Sequence, residues 1–217
     1  MNEKFWLDKW EQKEIGFHQK DVNEDLRNFW QSLDPKPDEI VFVPLCGKSH
    51  DMLWLREQGH EIVGVELSRV AVSSFFSENG MTPTWTRHGS FDVAAADGIR
   101  ILCGNIFDLT ADDLESVTCV YDRAALVALQ APMREKYVAH LLSILERGTR
   151  LLLVTLDYRQ DEMNGPPFAV PADEVERLYS KIADIRLLSR RDILAEEPNF
   201  ARRGITSLYS CAFRLTM

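Results

Sequence analysis

Residues 41–49 read VFVPLCGKS, and residues 62–66 read IVGVE. Each segment begins with a short apolar run rich in β-branched residues, and the amphipathic residues between them have the spacing of a helix. The pattern predicts a buried strand, a tight turn at Gly47, a helix, and a second strand that ends at Glu66. An acid 19 residues after such a glycine is placed to accept hydrogen bonds from a ribose diol. The two segments therefore predict a nucleoside site.

The rest of the chain repeats the strand and helix alternation, which predicts a mostly parallel sheet. Helix ends are indicated by Gly59, by Asn79-Gly80 and by Gly148. A turn at residues 96–98 predicts a hairpin before the third parallel strand. Two late apolar runs, with no predicted helix between them, are expected to pair antiparallel. The predicted parallel strands are 40–43, 62–65, 99–103, 117–121 and 151–156, and the antiparallel pair is 182–188 and 205–215.

This strand set predicts an α/β three-layer sandwich with a seven-stranded, mostly parallel, Rossmann-like sheet. It resembles the architecture of Class I S-adenosylmethionine-dependent methyltransferases more than a symmetric dinucleotide fold. No Pro- or Ser-rich linker divides the chain, so we expect one domain over residues 1–217. Residues 1–34 are expected to form an N-terminal helical lid within it.

Composition excludes several classes of partner. The 25 Lys and Arg residues against 34 Asp and Glu residues give a net charge of −9, which argues against binding nucleic acid. The amino terminus lacks an apolar signal core, and the longest apolar run is too short to span a membrane. We therefore expect a cytoplasmic protein without membrane contact. The four cysteines have no metal-ligand spacing and are expected to be reduced, and we expect no metal site; they are Cys46, Cys103, Cys119 and Cys211.

The Gly47 turn contains a Gly-Lys-Ser triplet, but it does not fit a phosphate-binding loop. Phe42 stands where such a loop needs a glycine, and Pro44 removes a backbone amide. A dinucleotide loop would need further glycines. S-adenosylmethionine has no phosphates, offers a ribose to Glu66, and has an amino-acid tail for the backbone near Leu45 and Gly47. The alternative interpretation is an ordinary tight turn with a solvent-facing Glu66.

Two further segments lie at predicted strand ends, where α/β sheets assemble their sites. Asn105 and Ile106 follow the third parallel strand and are expected to contact an adenine ring, although a plain Gly-Asn turn is equally consistent. Asp122 and Arg123 end the fourth strand and are expected to face the ligand. The alternative is an Asp-Arg pair that caps the next helix.

The amino-terminal segment is rich in aromatic residues. Trp6 and Trp10 are one helical turn apart, and Phe17 and His18 follow them. Such a stripe is either part of a core or a lid that excludes water from a bound cofactor. His18 is either an ordinary loop histidine or a candidate base.

Taken together, these motifs resemble the thiopurine S-methyltransferase family. The family pattern consists of W-x-x-x-W, F-H-Q, P-L-C-G-K, V-G-V-E, I-F-D-L, D-R-x-A-L and G-P-P-F-x-V-P. All seven are present in this order and extend over nearly the whole chain. They stand at residues 6–10, 17–19, 44–48, 63–66, 106–109, 122–126 and 165–171.

The resemblance implies S-adenosylmethionine as the cofactor and methyl transfer to the sulfur of aromatic or heterocyclic thiols. It places Phe17 and Arg123 at both cofactor and acceptor, and it makes Arg202 and Arg203 candidates for a second acceptor-binding arginine. Similar bacterial enzymes are associated with selenium and tellurium compounds, which adds these to the candidate acceptors. The expected cofactor-binding residues are Trp10, Phe17, Leu45, Gly47, Glu66, Asn105, Ile106 and Arg123.

Methyl transfer from a sulfonium is a direct displacement, which depends on positioning and desolvation. Acidic thiols are partly ionised near neutral pH, so no dedicated base is required. Arg123 is expected to stabilise the anionic acceptor, and Asp122 to hold its guanidinium or organise the cleft. Competing hypotheses are a nicotinamide-dependent oxidoreductase, a non-catalytic S-adenosylmethionine-binding module and a scaffold without ligand. We expect a monomer that acts on a small molecule.

Overall fold

The computed structural model describes residues 3–16, 18–19 and 21–217. They contain a mixed nine-stranded sheet with helices on both faces. The strands are β1 (Ile40–Val43), β2 (Glu61–Glu66), β3 (Thr84–His88), β4 (Phe91–Ala96), β5 (Ile99–Cys103), β6 (Val117–Asp122), β7 (Arg150–Asp157), β8 (Asp184–Asp192) and β9 (Tyr209–Thr216). The helices are α1 (Glu3–Glu11), α2 (Glu24–Phe29), α3 (Asp51–Glu57), α4 (Arg69–Glu78), α5 (Ala125–Ala128), α6 (Ala131–Ile144), α7 (Ala172–Tyr179) and α8 (Pro198–Arg202).

The strand order confirms the predicted α/β sheet and extends it. The order is β3-β4-β5-β2-β1-β6-β7-β9-β8, in which β5, β2, β1, β6 and β7 are parallel. The predicted antiparallel pair is β8 and β9, and the predicted hairpin joins β4 to β5. The sheet has nine strands instead of seven because β4 belongs to that hairpin and β3 pairs beside it.

The helix boundaries follow local capping, with one difference from the prediction. Ser68 caps α4 by accepting a hydrogen bond from the Ala71 amide, and a proline lies in the first turn of α6. The prediction that no helix separates the last two strands is wrong, because α8 lies between them. Pro198 begins this short helix, and Phe200 packs against a small apolar cluster. A single turn is too short to show an apolar period in the sequence.

The two faces of the sheet are covered by different helices. Successive residues of β1 alternate, so Phe42 packs in the cluster with α5, α6 and α7, whereas Val41 and Val43 pack with α2, α3 and α4. Each face therefore has its own buried cluster. The alternation also decides in which direction the side chains at the strand ends point.

The parallel strands place their carboxyl ends at one edge of the sheet. The chain leaves β1 toward β2 on one side, and β6 later pairs with β1 on the other side, so a topological switch point lies between β1 and β6. Residues at the ends of β1, β2, β5 and β6 consequently meet around one crevice. Among the residues that the structure describes, no helix is long and apolar enough to cross a membrane.

Candidate functional site

The turn after β1 has an unusual backbone conformation. Leu45 and Gly47 both have positive φ angles, of 46° and 54°. The left-handed region is costly for a side chain such as that of Leu45 and often marks a functional turn. The turn is fixed to β2, because the Cys46 amide donates to the Val65 carbonyl at 3.0 Å.

Glu66 lies at the centre of this arrangement. Its Oε2 accepts from the Gly47 amide at 3.0 Å, and its Oε1 accepts from the Ser68 amide at 2.8 Å. The side chain is buried, and this desolvation raises the pKa of Glu66 while the backbone amides oppose it. The alternative of a solvent-facing Glu66 is therefore wrong. Each oxygen keeps lone pairs that can accept a hydroxyl, which fits a ribose diol.

The contacts of Lys48 agree with the prediction that the turn after β1 is not a phosphate-binding loop. Its Nζ lies 2.7 Å from Oε2 of Glu78, at the end of α4, and only 11% of the Lys48 side chain is exposed. The ammonium is therefore directed away from the turn backbone, and its charge is balanced within the protein.

Helix α1 lies over the turn. Trp10 is buried, and a Cβ atom added to Gly47 would lie 3.2 Å from its indole ring. At the other end of the helix, Glu3 accepts a hydrogen bond from Asn105 at 2.7 Å. The helix thus reaches from the end of β1 to the end of β5. Phe17, the other predicted aromatic of this segment, lies outside the described residues.

Asn105 and Ile106 begin a short 3-10 helix after β5. The Asn105 side chain accepts from the Phe107 amide at 2.9 Å and so caps this helix. Ile106 is buried, and its carbonyl accepts from Nε2 of His140 at 3.0 Å. Both residues stand at the predicted edge, one strand away from Glu66. Their contact with an adenine ring stays a prediction.

Arg123 lies at the end of β6 beside a carboxylate that the sequence did not single out. Its Nη1 is 3.8 Å from Oδ2 of Asp51, the first residue of α3. Asp51 is fully buried and also accepts from the Tyr121 hydroxyl at 3.0 Å and from the Asn23 amide at 2.8 Å. One carboxylate therefore holds the arginine, a strand and the amino-terminal segment together.

The expectation that Asp122 holds the Arg123 guanidinium is wrong. Asp122 has no exposed surface, accepts from the Tyr137 hydroxyl at 2.6 Å, and accepts from the Ala125 amide at 3.0 Å. Arg123, the residue after β6, pairs with Asp51 of α3, whereas the partners of Asp122 lie in α5 and α6, so the two side chains diverge. Burial raises the pKa of Asp122 to about 6. Asp122 accepts from the first residue of α5, so the alternative of an Asp-Arg pair that caps this helix fits Asp122 alone.

Residues of two other segments approach Arg123. The His18 ring lies 5.7 Å from the His50 ring, and the pKa of His18 is lowered by burial and by the charges of Lys48, His50 and Arg123. Lowering keeps the imidazole neutral near pH 7. Glu197, before α8, accepts a hydrogen bond from Gln19 at 3.0 Å. Glu197 was not among the sequence-predicted site residues.

The two candidate arginines of the carboxyl-terminal segment are exposed. Arg202 donates to Asn199 within α8, and Arg203 follows the helix, where its charge acts on Tyr158. Their contact with an acceptor stays a prediction.

A cavity of about 490 Å³ lies elsewhere, between α6, α7 and the loop after β7. Arg134 and Glu174 form an ion pair of 2.6 Å in its wall, and Phe168 lies beside the guanidinium. None of its lining residues is a predicted site residue, so this cavity is separate from the Glu66 crevice.

Comparison with known proteins gives a family. The family model described as Thiopurine S-methyltransferase matches residues 1–216. A thiopurine S-methyltransferase of Nitrosospira multiformis is 53% identical over 215 residues, which are 99% of this chain and 98% of the relative. One of Bordetella petrii is 47% identical over 215 residues, with the same shares of the two chains.

Solved structures agree on the fold. A SAM-dependent methyltransferase from Anabaena variabilis superposes with a TM-score of 0.67 at 14% identity, over 100% of this chain and 95% of the other. A Burkholderia thailandensis 1,6-didemethyltoxoflavin-N1-methyltransferase, bound to S-adenosylhomocysteine, gives 0.64 at 11% identity, over 99% and 87%. At such identities the likeness shows the fold alone.

The family match and the relatives extend over almost the entire sequence. They confirm the resemblance, the methyltransferase fold, the enzyme class and S-adenosylmethionine as the cofactor. The buried carboxylate at the end of β2 is the geometry that such a cofactor requires. The chain belongs to the thiopurine S-methyltransferase family.

Proposed function

We propose that this protein transfers the methyl group of S-adenosylmethionine to the sulfur of aromatic or heterocyclic thiols. One observation supports the cofactor side most strongly: the buried Glu66 carboxylate accepts the Gly47 amide across the β1 turn. Bound S-adenosylmethionine would supply an electrophilic methyl group on a sulfonium. The protein's own residues would bind the cofactor and the acceptor, orient them toward each other and exclude water from the crevice.

The residues present fit that cofactor. Glu66 has lone pairs left after its two backbone hydrogen bonds, so it would hold the ribose hydroxyls. The turn at Leu45 and Gly47 would hold the amino-acid tail through its backbone. Asn105 and Ile106 would line the adenine, and Trp10 of α1 would cover the tail from above.

The acceptor side is supported by Arg123. Its guanidinium lies 3.8 Å from Asp51 and 21% of the side chain is exposed, so its positive charge would be available to an acceptor in the crevice. Such a charge favours the thiolate over the thiol and holds it for attack. A neutral His18 in the same neighbourhood does not compete as a second cation. No base is needed once the acceptor is ionised.

The test is an assay with labelled S-adenosylmethionine, thiophenol, mercaptopurine and catechol, in which the mass of each product is measured. We expect methyl label on sulfur and none on the catechol oxygen. Label on oxygen and never on sulfur would refute the proposal.

We extend the proposal to selenium and tellurium compounds, because selenolates and tellurolates are soft nucleophiles like thiolates. The same assay with benzeneselenolate and benzenetellurolate tests this part alone. We further infer one cytoplasmic domain that acts as a monomer. Its four cysteines are free, as is typical of a reducing compartment. Sedimentation of the purified protein tests the monomer.

A further inference from the structure

The turn after β5 is connected to the cofactor crevice through its backbone. The Gly104 amide donates to the Glu66 carbonyl at 2.9 Å, so the turn begins beside the strand end that carries the buried carboxylate. A Cβ atom added to Gly104 would lie 2.6 Å from the Phe91 ring, so this ring packs closely on the turn. Asn105 and Ile106 follow directly. Their position therefore depends on what holds the short 3-10 helix that they begin.

His140 of α6 contacts this 3-10 helix in two ways. Its Nε2 lies 3.0 Å from the carbonyl oxygen of the buried Ile106. A carbonyl oxygen can only accept, so Nε2 carries a proton and donates. The imidazole ring also lies 5.6 Å from the Phe107 ring, at an interplanar angle of 52°. The two contacts hold the backbone of Ile106 and the side chain of Phe107 from the same side.

The helix that carries His140 is itself fixed to the sheet. Tyr137 lies three residues earlier in α6 and has no exposed surface, and its hydroxyl donates to Asp122, at the end of β6, at 2.6 Å. Residues three apart in a helix lie on the same face. One face of α6 therefore holds both the end of β6 and the turn after β5. A well-anchored helix sets the position of the His140 ring.

We infer that His140 is a positioning residue for the cofactor, because its hydrogen bond to the Ile106 carbonyl fixes the wall against which the adenine ring packs. This inference rests on the proposed placement of the adenine at Asn105 and Ile106. The hydrogen bond is present without a ligand, so the turn is already ordered when the cofactor binds, and this preorganisation strengthens binding. His140 acts through Ile106 and takes no part in methyl transfer.

The experiment measures cofactor affinity in three variants by calorimetric titration with S-adenosylhomocysteine. His140→Ala removes the donor and should raise Kd about 3- to 10-fold, as expected for one neutral hydrogen bond. His140→Gln places an amide N–H near the position of Nε2, and its Kd should stay within about twofold of the wild-type value. Lys136→Ala, at an exposed position of the same helix, is the matched control and should leave Kd unchanged.

Two further measurements separate positioning from a general loss of structure. Methylthioadenosine keeps the adenosine but lacks the amino-acid tail, so His140→Ala should weaken the binding of both ligands by the same factor. In the thiol assay, His140→Ala should raise KM for S-adenosylmethionine and leave kcat within about twofold, because a residue that only positions the adenine contributes equally to the ground state and the transition state. Denaturant unfolding shows that each variant is folded under the conditions of the titration.

Equal Kd values for His140→Ala and wild type would overturn the inference, as would a loss in His140→Gln as large as that in His140→Ala. A loss for S-adenosylhomocysteine but not for methylthioadenosine would also overturn it, because the effect would then lie at the amino-acid tail. A wild-type protein that binds S-adenosylhomocysteine but methylates no thiol would refute the proposed thiol activity alone, because the titrations need no acceptor.

Discussion

The amide of Gly47 donates to Oε2 of Glu66 at 3.0 Å, and this bond joins the turn after β1 to the end of β2. The carboxylate is already ordered by backbone donors, and so a ligand hydroxyl meets a fixed acceptor. Little conformational entropy remains to be lost at Glu66 when a ligand binds.

Replacing Glu66 with alanine should weaken cofactor binding. A buried ribose hydroxyl would lose its partner at a cost of about 1–3 kcal/mol, which is about a 5- to 150-fold increase in Kd. Calorimetric titration with S-adenosylhomocysteine measures this Kd. Glu61→Ala, at the exposed start of the same strand, is the control and should leave Kd unchanged. Equal affinity of Glu66→Ala and wild type would remove Glu66 from the site.

Arg123→Ala should reduce turnover of a protein that still folds. Loss of a charged hydrogen-bond donor at the acceptor predicts a fall in kcat/KM of about 10- to 100-fold. The buried Asp51 loses its ion-pair partner but keeps its bonds from Tyr121 and Asn23, so the free energy of unfolding should fall by about 1–3 kcal/mol. Arg147→Ala, an exposed arginine before β7, serves as the control. Unchanged kinetics for the thiol would contradict the assignment.

Gly64→Ala in β2 should destabilise the protein by crowding Cys46 in the turn after β1. A Cβ atom at Gly64 would lie 2.8 Å from the Cys46 sulfur and 3.3 Å from Ile101. Crowding of this kind costs about 1–3 kcal/mol, measured by denaturant unfolding. Gly16→Ala has open space around its added methyl and should be near neutral. Similar stabilities of the two variants would show that the turn at Cys46 moves to accommodate the added methyl group at no cost in stability.

The buried Asp122 should make stability depend on pH. Its pKa is about 6 in the folded protein, mainly through burial, and about 3.9 when unfolded. The folded state binds the proton more tightly, so this contribution to stability is fully present below about pH 4 and is lost as the pH rises to about 6. Between pH 4 and 7 the wild type should lose about 2 to 3 kcal/mol more than Asp122→Asn.

Urea unfolding of both proteins at pH 4, 5, 6 and 7 measures this difference. Tyr137→Phe removes the donor that lowers the pKa of Asp122, so its loss of stability should extend to higher pH than in wild type. Parallel pH curves for wild type and Asp122→Asn would show that Asp122 keeps its ordinary pKa.

The fold was predictable because its strands are apolar and its turns have distinctive residues. The hairpin turn followed from Asp97-Gly98, whereas β3 was missed because the side chains of Thr84–His88 are largely exposed and mainly polar. The additional strands β3 and β4 lie at one edge of the sheet and leave the predicted parallel strands unchanged.

Local geometry in the candidate site was predictable where a motif fixes the backbone, as at Gly47 and Glu66, which a hydrogen bond joins. The prediction failed where a contact joins residues that are distant in sequence. Asp51 looks like an ordinary acid in the first turn of a helix, and only the tertiary fold brings it to Arg123. The expected pairing of Asp122 with Arg123 was wrong because the two neighbours in sequence have different partners, Tyr137 of α6 for Asp122 and Asp51 of α3 for Arg123.

The shared carboxylate of Asp51 has a consequence for cooperativity. Because Asn23 and Arg123 bind the same group, order in the amino-terminal chain and orientation of the guanidinium are thermodynamically linked. An acceptor that holds Arg123 in its pairing with Asp51 would also stabilise the chain near Asn23, and by reciprocity a looser amino terminus would weaken the binding of that acceptor by the same free energy. Substitutions near Asn23, far from the crevice, would thereby change the affinity for an acceptor.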